Sequence, residues 1–435
     1  MKSMFTKPAF ITAGATSCAG AALLLNKARQ SSTRAACEDD PSCVTDYSSV
    51  VVLATKLQEA AAAAFTVLGQ HDPFQDRPLD VLSAIRAFAN IALEYDPEEF
   101  LGSKDCASDT APPKSLITEL VDTFELADAA YESTEVLSSK LRDQGLHLVY
   151  HEVESIPGKV SFFLAFDPKK LIAVIGIKGT QSPADVLTDL VCKAVPREHG
   201  DKIAFVHEGM SVAAATVEDQ VFYTLLHLFF PQGYSVVITG HSLGAGTAAL
   251  LGLALRERLA EDPRAQSSFL GTSWAHRVQV RAFATPPVID LATTRRCQGF
   301  ITSVVNNRDV IPRASVSNMV SMITMVSEVD KDLRSSEFNP STYAPTREKV
   351  KQMAANVSAQ APQEKNAAEF LFVPGRVVYM YDEKKGPGQA CVLTDGNHWS
   401  LRTINFSRSM ITDHLAEQYR ESLKRAMECE YKSAK

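Results

Sequence analysis

A serine becomes a nucleophile when a sharp turn lifts its hydroxyl clear of the backbone and a base stands beside it. Ser242 has the sequence context for such a turn. It is the centre of Gly240-His241-Ser242-Leu243-Gly244, a G-x-S-x-G pentapeptide. Residues 234–239 before it are β-branched and apolar and predict a buried strand. Residues 245–260 after it are rich in Ala and Leu, stop before Pro263, and predict a helix. The glycines two positions to either side of Ser242 let strand and helix pack closely around the turn. The Leu243 amide then opens the helix, where N–H donors and the helix dipole favour a developing oxyanion. The pentapeptide alone is a weak signal, and its strand and helix make it a strong one. The competing reading, a phosphate-binding loop, lacks the lysine that a P-loop requires.

A serine nucleophile needs a base, and the base needs an orienting carboxylate. Behind an elbow of this kind the chain order is serine, acid, histidine. Asp309 is the best placed acid. It lies just past a predicted strand at 300–306, in Asn307-Arg308-Asp309-Val310-Ile311-Pro312. Asp290 sits farther from its strand, beyond two prolines, and Asp395 lies in an open turn. A carboxylate capping its own loop is the rival reading of Asp309. Two histidines follow it. His398 is on a polar-aromatic tip at 394–401, and His414 is near the start of a closing helix predicted at 409–429. Spacing alone divides the role about evenly between them. His241 adjoins the nucleophile, should point away from it, and reads as a packing residue. A second oxyanion donor should come from another loop at a strand end. Lys178-Gly179-Thr180-Gln181-Ser182, after a predicted strand at 170–177, offers the Thr180 amide and hydroxyl. A turn capped by threonine is the bland alternative.

Strands and helices alternate around these residues. Strands are expected at 146–153, 160–166, 170–177, 234–239, 278–284, 300–306 and 373–381, with helices at 210–230 and 245–260 between them. That alternation predicts a doubly wound α/β domain over 146–430. Residues 45–145 read as helical, with no spacing that suggests catalysis, and are expected to pack on the core or form a small cap. Residues 328–369 are polar, of mixed charge, and contain Pro340, Pro345 and Pro362, which reads as a mobile insertion with a helix at 346–355. Residues 1–36 hold five basic residues and no acidic one around an apolar centre at 8–25, which reads as a targeting or membrane-anchor segment. It has features of a secretory signal, an anchor and an organelle transit peptide. A net charge of −7 without a long basic run argues against nucleic acid as a partner. The eight cysteines include no C-x-x-C pair, so neither a zinc site nor a disulfide scaffold is indicated.

Several of these segments together resemble the class 3 lipases, the family of fungal lipases and of the catalytic domain of sn-1-specific diacylglycerol lipases. The resemblance runs from about residue 146 to 423. Residues 179–190 fit G-T-x-S-x-x-D-x-L-T-D-L of the diacylglycerol lipases, and Val206-His207-Glu208-Gly209-Met210 fits a signature found after the lid. GHSLGAGTAALL matches the elbow, and Val310-Ile311-Pro312-Arg313 matches the loop after the acid. Asp413-His414-Leu415 matches the closing histidine, which lifts His414 above His398, and Pro374-Gly375-Arg376-Val377 resembles the strand before it.

The resemblance implies an α/β-hydrolase fold with a mostly parallel central sheet, an N-terminal helical region and a short lid. It implies a catalytic triad of Ser242, Asp309 and His414, with Thr180 and Leu243 holding the oxyanion. Residues 183–195 would be the lid, where Leu187, Leu190 and Val191 could contact acyl chains, and 328–369 would take the place of a regulatory loop. The implied activity is hydrolysis of acylglycerol esters, with diacylglycerol cleaved to monoacylglycerol and free fatty acid. A triacylglycerol lipase, a phospholipase A1 and an inactive lipid-binding scaffold are the alternatives. No cofactor and no metal are implied. The expected partner is acylglycerol at a membrane or lipid-droplet surface, with no nucleic acid and no obligate protein partner, and the expected location is membrane-associated. Two features depart from the family. Lys178 stands where many members have arginine, and animal diacylglycerol lipases carry a bundle of transmembrane helices ahead of this domain.

Overall fold

The computed structural model describes residues 110–428 except 157, 181–193, 200–201, 267–272, 337–342, 361–369, 383–388 and 405–408, together with 59–60, 62–66, 72, 87 and 91. All of these fall in the unit Val52–Lys435. The expected targeting segment at 1–36 and the lid residues Leu187, Leu190 and Val191 lie outside the described residues. Among the described residues no helix is long and apolar enough to cross a membrane.

The helices and strands, in chain order, are α1 (Lys114–Ala129), α2 (Thr134–Asp143), β1 (His147–Glu152), β2 (Phe162–Asp167), β3 (Ile172–Ile177), β4 (Ala194–His199) and β5 (Lys202–His207). They continue with α3 (Glu208–Thr224), β6 (Ser235–His241), α4 (Leu243–Glu261), β7 (Val278–Phe283), β8 (Ile289–Asp290) and β9 (Ile301–Asn306). The last are α5 (Val316–Ser336), α6 (Arg347–Gln360), β10 (Leu371–Phe372), β11 (Arg376–Asp382), β12 (Gln389–Asp395) and α7 (Ala416–Glu428).

An eight-stranded sheet carries the fold in the order β1-β2-β3-β6-β7-β9-β11-β12. The run from β3 through β6, β7 and β9 to β11 is parallel, and β1, β2 and β12 add antiparallel edges. Strands in the middle of a parallel sheet are covered on both faces, so they read as unbroken apolar runs. IAVIGI in β3 does so, while SVVITGH in β6 and ITSVVN in β9 add buried polar side chains such as Thr239, Ser303 and Asn306 to a mainly β-branched run. The alternation of elements predicted such an α/β sheet, and the α/β-hydrolase architecture is the one the resemblance implied. A second sheet, β10-β8-β5-β4, was not foreseen. Its strands β8 and β10 are two residues each, and β4 is AVPREH, a polar edge with a proline.

The two faces of the main sheet are covered differently. One carries α1 and α7, with Leu116, Leu120 and Phe124 packed with Tyr419 and Leu423 over Phe283, Val304 and Val378. In α7 the buried residues Tyr419, Ser422, Leu423 and Ala426 recur at helical spacing and make a single inward stripe. The other face carries α3, α4 and α5 in the largest apolar cluster. Helix α4 is buried along nearly its whole length, which is why small and apolar residues occur all round it.

Residues 328–336 and 347–360, read from composition as part of a mobile insertion, are helical and packed. Helix α5 starts at Val316 and buries Met319, Val320, Ile323, Val326 and Val329 in the main cluster. Helix α6 adds Val350, Met353 and Val357 from one face. Polar bonds join the pair: Lys349 Nζ to Asp332 Oδ1 at 2.8 Å, and Asn356 Nδ2 to Glu328 Oε2 at 2.7 Å. The polar composition belongs to the outer faces of two amphipathic helices.

Candidate active site

β6 ends at His241 and α4 begins at Leu243, so Ser242 alone makes the turn between them. Its φ of 60° and ψ of −130° are unusual for a residue with a side chain. A backbone in so sparsely populated a region costs on the order of 1–3 kcal/mol and persists only where its surroundings enforce it. Here they do. A Cβ on Gly240 would lie 2.5 Å from the Gly244 carbonyl carbon, and one on Gly244 would lie 2.3 Å from Ile177 O. Ser242 N–H also donates to Phe283 O at 2.9 Å, which pins the turn to the end of β7.

His414 comes from the short turn Thr412–His414, just ahead of α7. Its Nε2 is 3.0 Å from Ser242 Oγ. Its Nδ1 is 3.0 Å from Asp309 Oδ1 and 3.1 Å from Oδ2. All three side chains are buried. Asp309, just beyond β9, also accepts Ile311 N–H at 2.9 Å and the Tyr419 hydroxyl at 2.7 Å. Burial pushes the carboxyl up, but the facing imidazole and these two donors outweigh it and hold Asp309 below the usual carboxylate range. An anionic Asp309 favours a proton on Nδ1 of His414. The Nε2 lone pair then faces the Ser242 hydroxyl.

Two backbone segments meet beside Ser242. A Cβ on Gly244 would also lie 3.0 Å from Gly179 N, so the end of β3 is pressed against the first turn of α4. That brings Thr180 to the same edge as Leu243. The first N–H groups of a helix have no intrahelical acceptor, which leaves the Leu243 amide free of the α4 ladder.

Three supporting residues escaped the sequence reading. Tyr419 reaches Asp309 from the buried stripe of α7. Arg313 is one of the largest fully buried side chains. Its guanidinium donates to Asn307 O, Asp309 O and Ser400 O at 2.7, 2.6 and 2.8 Å and so holds the acid loop. Arg313 stood in the matched acid-loop segment, but nothing in a linear segment shows which carbonyls an arginine will reach. His241, read as a packing residue, places Nε2 2.9 Å from His414 O. Burial and the neighbouring His414 push its pKa down to about 3. It is therefore neutral, with an Nε2–H that can donate to the His414 carbonyl.

The rival candidates lie in other networks. Asp290 caps the short helix Leu291–Arg296 by accepting Thr293 N–H at 2.8 Å, and it also accepts Phe205 N–H at 2.9 Å. Asp395 accepts Asn397 N–H at 2.9 Å in its own turn. His398 Nδ1 lies 2.7 Å from Ser400 Oγ, with the ring beside Tyr379 and Trp399.

Residues 174–319 match the family described as lipase (class 3). Over that third of the chain the similarity is to the class 3 lipases. The class 3 lipase segment spans β3 to the start of α5 and so contains Ser242 and Asp309, while His414 lies beyond it. Among relatives, diacylglycerol lipase-beta of Mus musculus is 32% identical over 183 residues, 40% of this chain and 24% of that protein. Diacylglycerol lipase-alpha of Homo sapiens is 24% identical over 319 residues, 65% of this chain and 28% of that protein. The chain thus spans about a quarter of the length of these two relatives. A lipase of Rhizomucor miehei is 33% identical over 150 residues, 34% of this chain and 38% of that protein. The solved complex of Rhizomucor miehei lipase with its propeptide aligns at a TM-score of 0.47 and 18% identity, covering 71% of this chain and 81% of that one.

Proposed function

We propose that this chain is a serine lipase that hydrolyses acylglycerol esters, with diacylglycerol as substrate, at a membrane surface. The observation that carries the reading is the buried relay from Ser242 Oγ through His414 to Asp309, with hydrogen-bond distances of 3.0–3.1 Å at both links. His414 Nε2 takes the Ser242 hydroxyl proton as Oγ attacks the ester carbonyl carbon. The carbonyl oxygen becomes an oxyanion facing the Thr180 and Leu243 amides. As the C–O bond to glycerol breaks, the proton on His414 passes to the leaving oxygen, and the acyl group stays on Ser242. A water then gives its proton to His414 as its oxygen attacks the acyl carbon; the acyl bond to Ser242 Oγ breaks, His414 returns the proton to Oγ, and free fatty acid leaves. Asp309 stays anionic throughout and steadies the imidazolium.

Diacylglycerol is supported by the segment at 179–190 and by the names of the relatives above. Triacylglycerol hydrolysis and phospholipase A1 activity are the readings nearest to it, and a substrate panel at equal interfacial area separates the three. The test of the chemistry is a fluorophosphonate probe on the folded full chain, with dispersed diacylglycerol assayed in parallel. Ser242 should be labelled, and Ser242→Ala should lose both labelling and hydrolysis. An unlabelled Ser242 in folded protein would point instead to a lipid-binding scaffold that keeps the fold.

A further inference from the structure

We propose that Tyr131 is a positioning residue for the oxyanion hole: its hydroxyl ties the loop bearing Thr180 to the backbone of the elbow bearing Ser242. The proposal rests on the reading of Ser242 as the nucleophile. Tyr131 lies in the bend between α1 and α2, within the region that sequence assigned only to packing. The Gly179 N–H donates to its hydroxyl at 3.1 Å, and the hydroxyl donates on to His241 O at 3.4 Å. One oxygen therefore bridges the residue before Thr180 and the residue before Ser242. Burial raises the phenol well above its ordinary pKa, so it keeps the proton it donates.

The space around Gly179 shows how closely this bridge sets the loop. A Cβ there would lie 2.5 Å from the Tyr131 hydroxyl oxygen and 2.4 Å from His241 O. With the Gly179 amide engaged by Tyr131, Thr180 is the next amide along the loop that can face an oxyanion. The bridge also continues past the elbow, because His241 Nε2 lies 2.9 Å from His414 O. Hydrogen bonds thus join Gly179 N–H to Tyr131, Tyr131 to the His241 carbonyl, and the His241 imidazole to the His414 carbonyl. They link the loop that would hold the oxyanion to the residue that would move the proton. No atom of Tyr131 takes part in the attack. Its effect is on where the Thr180 amide stands when negative charge develops, and an amide works there only within about 2.7–3.1 Å of the oxyanion.

The experiment compares the full chain with Tyr131→Phe, which keeps the ring and removes the bridge. The readouts are hydrolysis of p-nitrophenyl butyrate and inhibition by an alkyl trifluoromethyl ketone, whose adduct with Ser242 carries the oxyanion. Losing an oxyanion donor outright costs roughly 10²–10³ in kcat, and displacing one should cost less. The expected result is a fall of about tenfold in kcat with KM within about twofold, and a matching loss of ketone affinity. A variant that loses thermal stability or KM while keeping kcat and ketone affinity overturns the proposal. An inert, unlabelled wild type would overturn the reading of Ser242 and this proposal together. An active wild type with an unchanged Tyr131→Phe would overturn this proposal alone. If Tyr131→Phe does not fold, Gly179→Ala decides, since its methyl displaces the same loop from the bridge. Loss of kcat and ketone affinity at constant KM supports the proposal, and retention of both ends it.

Discussion

Tyr419 donates its hydroxyl proton to Asp309 Oδ2 at 2.7 Å, and both side chains are closed off from solvent. The same oxygen of Tyr419 accepts the Asn306 N–H at 3.1 Å. One phenol thus supports the carboxylate and the end of the strand that delivers it. A hydrogen bond to a buried charge is worth about 1.5–3 kcal/mol. Tyr419→Phe should therefore lower stability by about 2 kcal/mol, read as a shift in the urea midpoint. It should also reduce kcat by roughly tenfold with little change in KM, because Asp309 then holds the imidazolium less firmly. A variant with unchanged kcat would remove Tyr419 from the site's support.

Asp309→Asn tests the orientation of the base. The amide keeps the shape of the carboxylate, but its NH₂ can donate to Nδ1 of His414. That selects the tautomer with a proton on Nε2, facing Ser242, where it cannot accept the hydroxyl proton. The expected loss in kcat is about 10³–10⁴-fold, as for an orienting carboxylate in a serine hydrolase. Circular dichroism should show the variant folded. A loss below about tenfold would mean that another group orients His414.

His241 makes stability depend on pH. Its pKa is about 3 in the folded chain and 6.5 in the ordinary state. Between those values the unfolded chain binds a proton that the folded chain refuses. Stability therefore falls as pH drops from 6.5 toward 3, by up to about 1.4 kcal/mol per pH unit from this group. Above pH 6.5 the group contributes no slope. Urea midpoints measured at pH 4 and pH 7 should differ less in His241→Gln than in the parent. Equal differences in the two proteins would refute the assignment.

Met319 tests whether α5 belongs to the core. It is fully buried in the main apolar cluster, beneath a segment whose later part reads as polar. Met319→Ala should cost about 2–5 kcal/mol through lost burial and the cavity left behind. Differential scanning calorimetry would show it as a lower Tm. A change under about 0.5 kcal/mol would mean that the helix contributes little to the fold.

The elements that the residues reveal by themselves are the local ones. The elbow at Ser242 is legible because strand, turn and helix are contiguous, and the two glycines and the buried helix leave a short-range signature. The central strands are legible because burial on both faces enriches them in β-branched and apolar residues. Strands β4, β5, β8, β10 and β12 were missed: β8 and β10 are two residues each and owe their pairing to neighbours distant in the chain, and β4 is polar. Helix α5 was obscured because its polar outer face dominates the composition of 328–336, whereas α6 falls on the helix expected at 346–355.

The candidate site divides in the same way. Residue types and chain order reduced the acid to Asp309, Asp290 or Asp395 and the base to His398 or His414, and resemblance to a family was needed to go further. The fold separates them physically. It carries His414 across 172 positions to Ser242 and leaves Asp290 capping a helix and His398 bonded to Ser400. Tyr131, Arg313 and Tyr419 could not be found by any spacing rule, because their roles lie in backbone or carboxylate oxygens that only folding brings within reach. The sequence by itself determined which chemistry the chain is equipped for, since that depends on residue type and local turn geometry. The tertiary structure decided which carboxylate and which histidine stand beside Ser242 and which side chains hold them, since a hydrogen bond depends on distance in space and not on separation along the chain.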